Sequence, residues 1–107
     1  MENKDFSNPI FSEEKGLLEV NRKKIKVKKF SDQFHLLKII FENKENLKKE
    51  WFFSEIAEIY EPLNPPMDKK FYNATDQIRK KIAIETGIKD FFITTRQSLR
   101  INTNYLS

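Results

Sequence analysis

The stretch at residues 68–87, DKKFYNATDQIRKKIAIETG, decides the fold expected of this chain because it is its clearest amphipathic segment. Its apolar side chains recur at intervals of four, three and four residues, which places them on one side of a helix of about five turns. Asp68 is a suitable N-cap, and Gly87 stands where a helix needs a residue that tolerates left-handed backbone. The apolar stripe consists of Phe71, Thr75, Ile78 and Ile82.

The opposite face of this predicted helix is polar and basic. Side chains of these types contact phosphates and base edges in the DNA major groove, although for an isolated basic helix a solvated face that touches nothing is the commoner case. The segment 62–107 carries a net charge of +4, which favours a polyanionic partner. The side chains on this face are Lys69, Lys70, Asn73, Asp76, Gln77, Lys80 and Lys81.

Length and composition exclude several classes of protein. A chain of 107 residues is expected to form one domain whose modest core is filled largely by ten Phe and one Trp. There is no Cys, and the single His, His35, leaves no His cluster, so we expect neither an enzyme nor a bound metal or other cofactor. No apolar run approaches the ~18 residues that span a bilayer, so a cytoplasmic protein without a membrane partner is expected.

The N-terminal part predicts a tail, a hairpin and a helix. Residues 1–15 lack periodicity, and 1–16 are expected to be a tail or linker, which leaves 17–107 as the folded domain. A mostly apolar run at 17–20 precedes a turn at 21–23, and apolar and basic residues alternate after the turn, which predicts a β-hairpin. Ser31 is a suitable N-cap for the first helix.

Six of the eight residues from 22 to 29 are basic. Two interpretations of this run remain open. It is either a patch that contacts phosphates or a charged edge that keeps the sheet from pairing with other chains.

A second helix is predicted from residue 48 or 49 to Tyr60, with an acidic polar face. The segment 61–67 follows it and holds three of the four prolines, so it cannot be helical throughout. A β-rich run then turns back on itself over 91–101, which predicts a second hairpin. The side chains of the second helix that are expected to face the core are Phe52, Ile56, Ile59 and Tyr60.

The order hairpin, helix, helix, long loop, basic helix, hairpin resembles a winged helix, and specifically the C-terminal effector domain of OmpR/PhoB-type response regulators. The resemblance covers residues 17–101 and rests on four stretches, FSDQFHLLKIIFENKENL, WFFSEIAEIYE, DKKFYNATDQIRKKI and ITTRQSLRI. It implies an α+β winged helix-turn-helix fold with an N-terminal β-hairpin, three helices and a C-terminal hairpin, the wing. It also implies sequence-specific binding of double-stranded DNA in transcription regulation, with helix 68–86 in the major groove and the wing, 91–101, at the minor groove.

The resemblance also implies roles for individual residues. Lys69 stands where such domains touch phosphate, and Arg79 and Lys80 match a basic pair of the third helix. Thr94 and Arg96 match a threonine and an arginine of the wing.

Two functions are compatible with these patterns. In the first, the chain binds DNA, and the amides of Asn73 and Gln77 read adenine edges. In the second, a winged helix serves as a protein-interaction module, through its acidic second helix and the segment 61–67, which in such domains can meet RNA polymerase or another protein. Asp76 favours the second function because a carboxylate repels phosphate. The cations and amides of the DNA-binding hypothesis are Lys69, Lys70, Asn73, Gln77, Lys80 and Arg96.

Overall fold

The computed structural model describes residues 8–43, 45, 47–61 and 68–106, with Asp68 represented by its backbone alone. Within these residues the chain forms three α-helices and two three-stranded antiparallel sheets, so the expected α+β class is confirmed. The elements are β1 (Ile10–Ser12), β2 (Leu17–Val20), β3 (Lys23–Lys26), α1 (Asp32–Phe41), β4 (Trp51–Phe52), α2 (Phe53–Tyr60), α3 (Asp68–Thr86), β5 (Phe92–Thr94) and β6 (Ser98–Ile101). The strand order is β1-β2-β3 in the first sheet and β4-β6-β5 in the second.

The first sheet contains the predicted N-terminal hairpin and one further strand. Asn21 and Arg22 connect β2 to β3 with φ values of 52° and 67°, the left-handed backbone that two-residue hairpin turns require. The further strand, β1, lies in the segment that lacked periodicity, and Phe11 pairs there with Leu18. The ring of Phe11 meets that of Phe34 edge to face at 5.6 Å, which attaches β1 to the core side of α1.

The first and third helices begin and end close to where the sequence places them. The hydroxyl of Ser31 accepts a hydrogen bond of 3.2 Å from the backbone N–H of Phe34, so Ser31 is the N-cap of α1. Helix α3 covers Asp68–Thr86, and Gly87 follows it with a φ of 80°. The predicted capping role of Asp68 depends on a side chain outside the described residues.

The second helix is shorter than predicted, and its start at residue 48 or 49 is wrong. Trp51 and Phe52 form strand β4 instead, because they pair with Leu99 and Ser98 of β6. The helix begins only at Phe53, and the carboxylate of Glu55 accepts a hydrogen bond of 3.4 Å from the N–H of Phe52. Phe52 and Ile59 were expected in the core but are 47% and 51% exposed, whereas Phe53, which was not among the expected core residues, is fully buried. The proline-rich loop lies outside the described residues beyond Glu61.

The core lies between α3, the other two helices and the inner faces of both sheets. Removing a large apolar side chain from water stabilises the fold by roughly 1.5–3 kcal/mol. Helix α3 contributes the predicted stripe, and the buried hydroxyl of Thr75 donates to the carbonyl of Phe71 at 2.8 Å. The largest fully buried side chains include Phe53, Phe71, Phe91, Phe92, Leu36, Leu37, Ile78, Ile82 and Leu99.

Candidate nucleic-acid interface

The side of α3 that faces away from the core carries polar and basic side chains, as the sequence predicts. Lys69 and Asn73 are exposed, and the side chain of Lys80 is 72% exposed. At 3.6 residues per turn, these three residues and Asp76 fall within an arc of about 60° on the side of the helix opposite the buried stripe. We refer to Lys69, Asn73, Asp76 and Lys80 as the outward face of α3.

Asp76 lies in the middle of the outward face and neutralises part of its charge. Its carboxylate accepts a hydrogen bond of 2.7 Å from the guanidinium of Arg79 and lies 3.2 Å from the ammonium of Lys80. The hydrogen bond from Arg79, followed by that from Lys80, lowers the pKa of Asp76, so it remains ionised at neutral pH. Two of the expected DNA-binding cations, Arg79 and Lys80, are thus held by a carboxylate of their own helix.

Two other expected DNA-binding residues lie at the boundary between α3 and α1. The ammonium of Lys70 lies 3.2 Å from the carboxylate of Asp32 and 4.8 Å above the ring of Tyr60. The amide oxygen of Gln77 accepts a hydrogen bond of 2.8 Å from the side chain of Gln33. These side chains connect the two helices, and they flank the outward face rather than belonging to it.

Gln33 also ties α1 to a position further along α3. Its amide oxygen accepts a hydrogen bond of 3.0 Å from the ammonium of Lys81. One side chain of α1 therefore spans Gln77 and Lys81, which are one helical turn apart, and fixes the rotation of α3 about its axis. The sequence contains no signal for this bridge because its partners are 44 and 48 positions from Gln33.

The wing hairpin is shaped by a threonine rather than by glycine. The hydroxyl of Thr95 accepts hydrogen bonds from the N–H groups of Gln97 and Ser98, at 3.1 and 3.0 Å. Arg96 is exposed at the tip of this turn. Thr94 is half-buried at the end of β5, where it pairs with Leu99, so it is less available to a ligand than Arg96.

Phe53 connects the turn of the wing to α3. The N–H of Phe53 donates to the carbonyl of Gln97 at 2.8 Å, and its ring meets the ring of Tyr72 edge to face at 5.7 Å. The turn that carries Arg96 therefore lies on the Tyr72 side of α3. Tyr72 is 43% exposed beside Asn73, and no sequence pattern indicated it because it belongs neither to the apolar stripe nor to the polar face of the helix.

His35 occupies a structural position. Its ring lies 4.7 Å from the ring of Tyr60 and 5.6 Å from that of Phe34. Burial, followed by the nearby charge of Lys38, lowers its pKa. The described residues contain no group of three His, Cys, Asp or Glu side chains that could hold a metal ion. No helix in the described part of the chain is both long and apolar enough to cross a membrane.

Comparison of this chain with models of protein families, with curated proteins and with solved structures found no match. The outward face of α3 and the wing are therefore the features of this chain that point to a function.

Proposed function

We propose that this protein binds double-stranded DNA as a winged helix, with α3 in the major groove and the wing at the minor groove, as part of a transcription regulator. The observation that carries the proposal is the solvent-facing outward face of α3, with Arg96 at the tip of a hairpin beside it. Lys69 and Arg96 form no ion pair with any residue that the structure describes, so their charges are available to phosphates.

The topology supports this proposal. A short strand, β4, separates α1 from α2 and pairs with β6, the last strand of the wing. This pairing anchors the hairpin to the start of α2, so the wing projects beside α3 instead of hanging freely. A helix and a β-ribbon held side by side in this way are suited to adjacent grooves of a duplex.

The dimensions of the outward face also fit. An α-helix fits the major groove, which is about 12 Å wide. Of the outward-face residues, Asn73 offers an amide that can pair bidentately with adenine, and Lys69 and Lys80 lie one to two turns to either side of it. Tyr72 adds an exposed aromatic ring between Asn73 and the wing.

Fluorescence anisotropy with a random-sequence duplex, titrated with salt, tests the proposal. The Lys69→Gln/Arg96→Gln variant is expected to bind more weakly. The negative slope of log K against log salt should become shallower by about 2, since each phosphate contact contributes about −0.9 to it. The matched control is Lys48→Gln/Lys89→Gln, which removes the same charge from exposed positions outside α3 and the wing. Equal slopes for the two double variants would contradict the proposal.

A second function is favoured by exposed apolar side chains at the two ends of α2. Phe52, the last residue of β4, and Ile59, in the last turn of α2, are about half exposed, and the carboxylate of Glu55 accepts a hydrogen bond from the N–H of Phe52. This surface suits a protein partner with apolar and basic side chains. If the chain shows no duplex binding at low salt, and a purified partner binds wild type but not Phe52→Ser/Ile59→Ser, the interaction-module function replaces DNA binding.

A further inference from the structure

The lysines of β3 pair with no carboxylate in the part of the chain that the structure describes. Lys24 and Lys26 are exposed, and neither lies within 4.0 Å of a carboxylate oxygen among the residues that the structure describes. Glu19 is the cross-strand neighbour of Lys24, yet the two form no ion pair. Charges at this density repel one another, so a bound polyanion would relieve the repulsion.

These lysines line a groove between β3 and the C-terminal half of α3. The groove has a volume of about 330 Å³ and is open to solvent along one side. Three ammonium groups and one carboxylate surround it, together with Ile84, whose side chain is 81% exposed. The residues that line it are Lys24, Ile25, Lys26, Lys81, Ile84 and Glu85.

The groove and the wing lie on opposite flanks of the outward face of α3. On a helical wheel, Tyr72 lies about 70° to one side of the direction midway between Lys69 and Lys80, and Lys81 lies about 110° to the other side. Tyr72 marks the wing flank through its contact with Phe53. A helix in a major groove has one phosphodiester strand on each side, so the two flanks face different strands of the duplex.

We propose that the groove between β3 and α3 binds the phosphodiester backbone of duplex DNA, on the strand opposite the one that the wing approaches. Lys24, Lys26 and Lys81 contact the phosphates, and Ile84 packs against the adjacent sugars. This inference rests on the proposed function for its ligand, but it concerns residues that the DNA-binding hypothesis did not include. It resolves the two interpretations of the basic run 22–29 in favour of a phosphate-contacting patch.

The charges that oppose the proposal are Glu19 on β2 and Glu85 on α3. Only Glu85 belongs to the lining of the groove, where it stands against three lysines, so the lining retains an excess of two positive charges. Lys81 is held by the amide of Gln33 rather than by a carboxylate, so its charge is not neutralised.

The test is the salt dependence of duplex binding by the full chain. The Lys24→Gln/Lys26→Gln variant retains the aliphatic part of each side chain, and circular dichroism checks that it folds. The negative slope of log K against log salt is expected to be shallower by about 2 in this variant than in wild type. Over a fourfold rise in salt, wild type should therefore lose about tenfold more affinity than the variant. The Lys48→Gln/Lys89→Gln control is expected to keep the wild-type slope.

The variants separate this inference from the proposed function. If Lys69→Gln/Arg96→Gln lowers the slope and Lys24→Gln/Lys26→Gln does not, the groove is not a DNA contact, while the proposed function stands. If only Lys24→Gln/Lys26→Gln lowers it, the groove binds DNA and the placement of α3 is wrong. Equal slopes for all three variants overturn both the groove proposal and the proposed function. In a separate competition experiment, polyglutamate that competes as strongly as an unlabelled duplex of equal charge overturns the assignment of the ligand to nucleic acid.

Discussion

The carboxylate of Asp76 lies 2.7 Å from the guanidinium of Arg79, one turn further along α3. This contact, shared with Lys80 at 3.2 Å, places a negative charge in the middle of the surface that we propose faces phosphates. The ion pair is partly exposed, so it contributes little to stability, but it withholds two cations from a ligand.

Replacing Asp76 by Asn is therefore expected to strengthen duplex binding. The substitution removes a repulsive charge and frees Lys80, so the slope of log K against log salt should become steeper by about 1. Anisotropy measurements check this, with Glu58→Gln on α2 as the control that removes one exposed negative charge elsewhere. Weaker binding by Asp76→Asn than by wild type would indicate that Asp76 itself contacts the ligand.

His35 should titrate below its usual pKa of 6.5 because it is half-buried against Tyr60 and close to Lys38. A lowered pKa in the folded state means that the unfolded chain binds more protons, so the contribution of His35 to stability is complete above pH 6.5 and is lost as the pH falls through the folded pKa. The chain has a single His, so one NMR resonance reports the titration directly.

The matched variant is His35→Gln. Its free energy of unfolding should change less between pH 7 and pH 5 than that of wild type, because these two pH values bracket the ordinary His pKa of about 6.5. A folded pKa at or above the ordinary value would contradict the prediction.

Two glycines with left-handed backbone offer a comparison. Gly16 and Gly87 have φ values of 62° and 80°. A Cβ at Gly16 would lie 2.7 Å from the carbonyl oxygen of Val27, whereas no atom of the described residues lies within 4 Å of a Cβ at Gly87. Both Ala variants incur the cost of left-handed backbone, about 1–2 kcal/mol. Only Gly16→Ala adds a clash with backbone, since Gly16 and Val27 also share a hydrogen bond of 2.8 Å.

We therefore expect Gly16→Ala to lower the melting temperature clearly more than Gly87→Ala, whose shift should be about 4–8 °C per kcal/mol. Similar melting temperatures for the two variants would show that the first sheet yields locally around residue 16.

Trp51 is buried, and its indole N–H finds no hydrogen-bond partner among the described residues. An unpaired buried donor costs about 1–3 kcal/mol, so Trp51→Phe removes a penalty while losing some volume and the contact with the ammonium of Lys49 at 4.7 Å. We expect the free energy of unfolding in urea to change by less than about 1 kcal/mol. Leu99→Ala, at its partner in β6, should cost about 2–5 kcal/mol. A loss of similar size for Trp51→Phe would mean that the indole N–H is satisfied in solution.

Patterns between near neighbours predicted much of the fold. The four-three-four spacing around Phe71 and Ile78 located α3, and the N-cap type of Ser31 located the start of α1. The alternation around Ile25 located the first hairpin. Each of these depends on residues within one or two turns of one another, which is the range over which periodicity acts.

The second helix shows where this reasoning ends. Phe52 and Ile59 have the spacing of a core-facing stripe, yet they are exposed because β4 withdraws Phe52 from the helix and α2 turns Phe53 and Ile56 inwards. A strand of two residues has no periodicity to detect.

The sequence by itself determined that one amphipathic helix would bury its apolar stripe and present cations to solvent, because helical geometry fixes which side chains share a face. Only the tertiary structure decided which of those cations are neutralised, since Asp32 of α1 pairs with Lys70 from across the fold while Gln33 leaves the charge of Lys81 in place. It also decided that Lys24 and Lys26 line a groove with Lys81. Such contacts join residues tens of positions apart, and packing of the whole core, rather than any local pattern, brings them together.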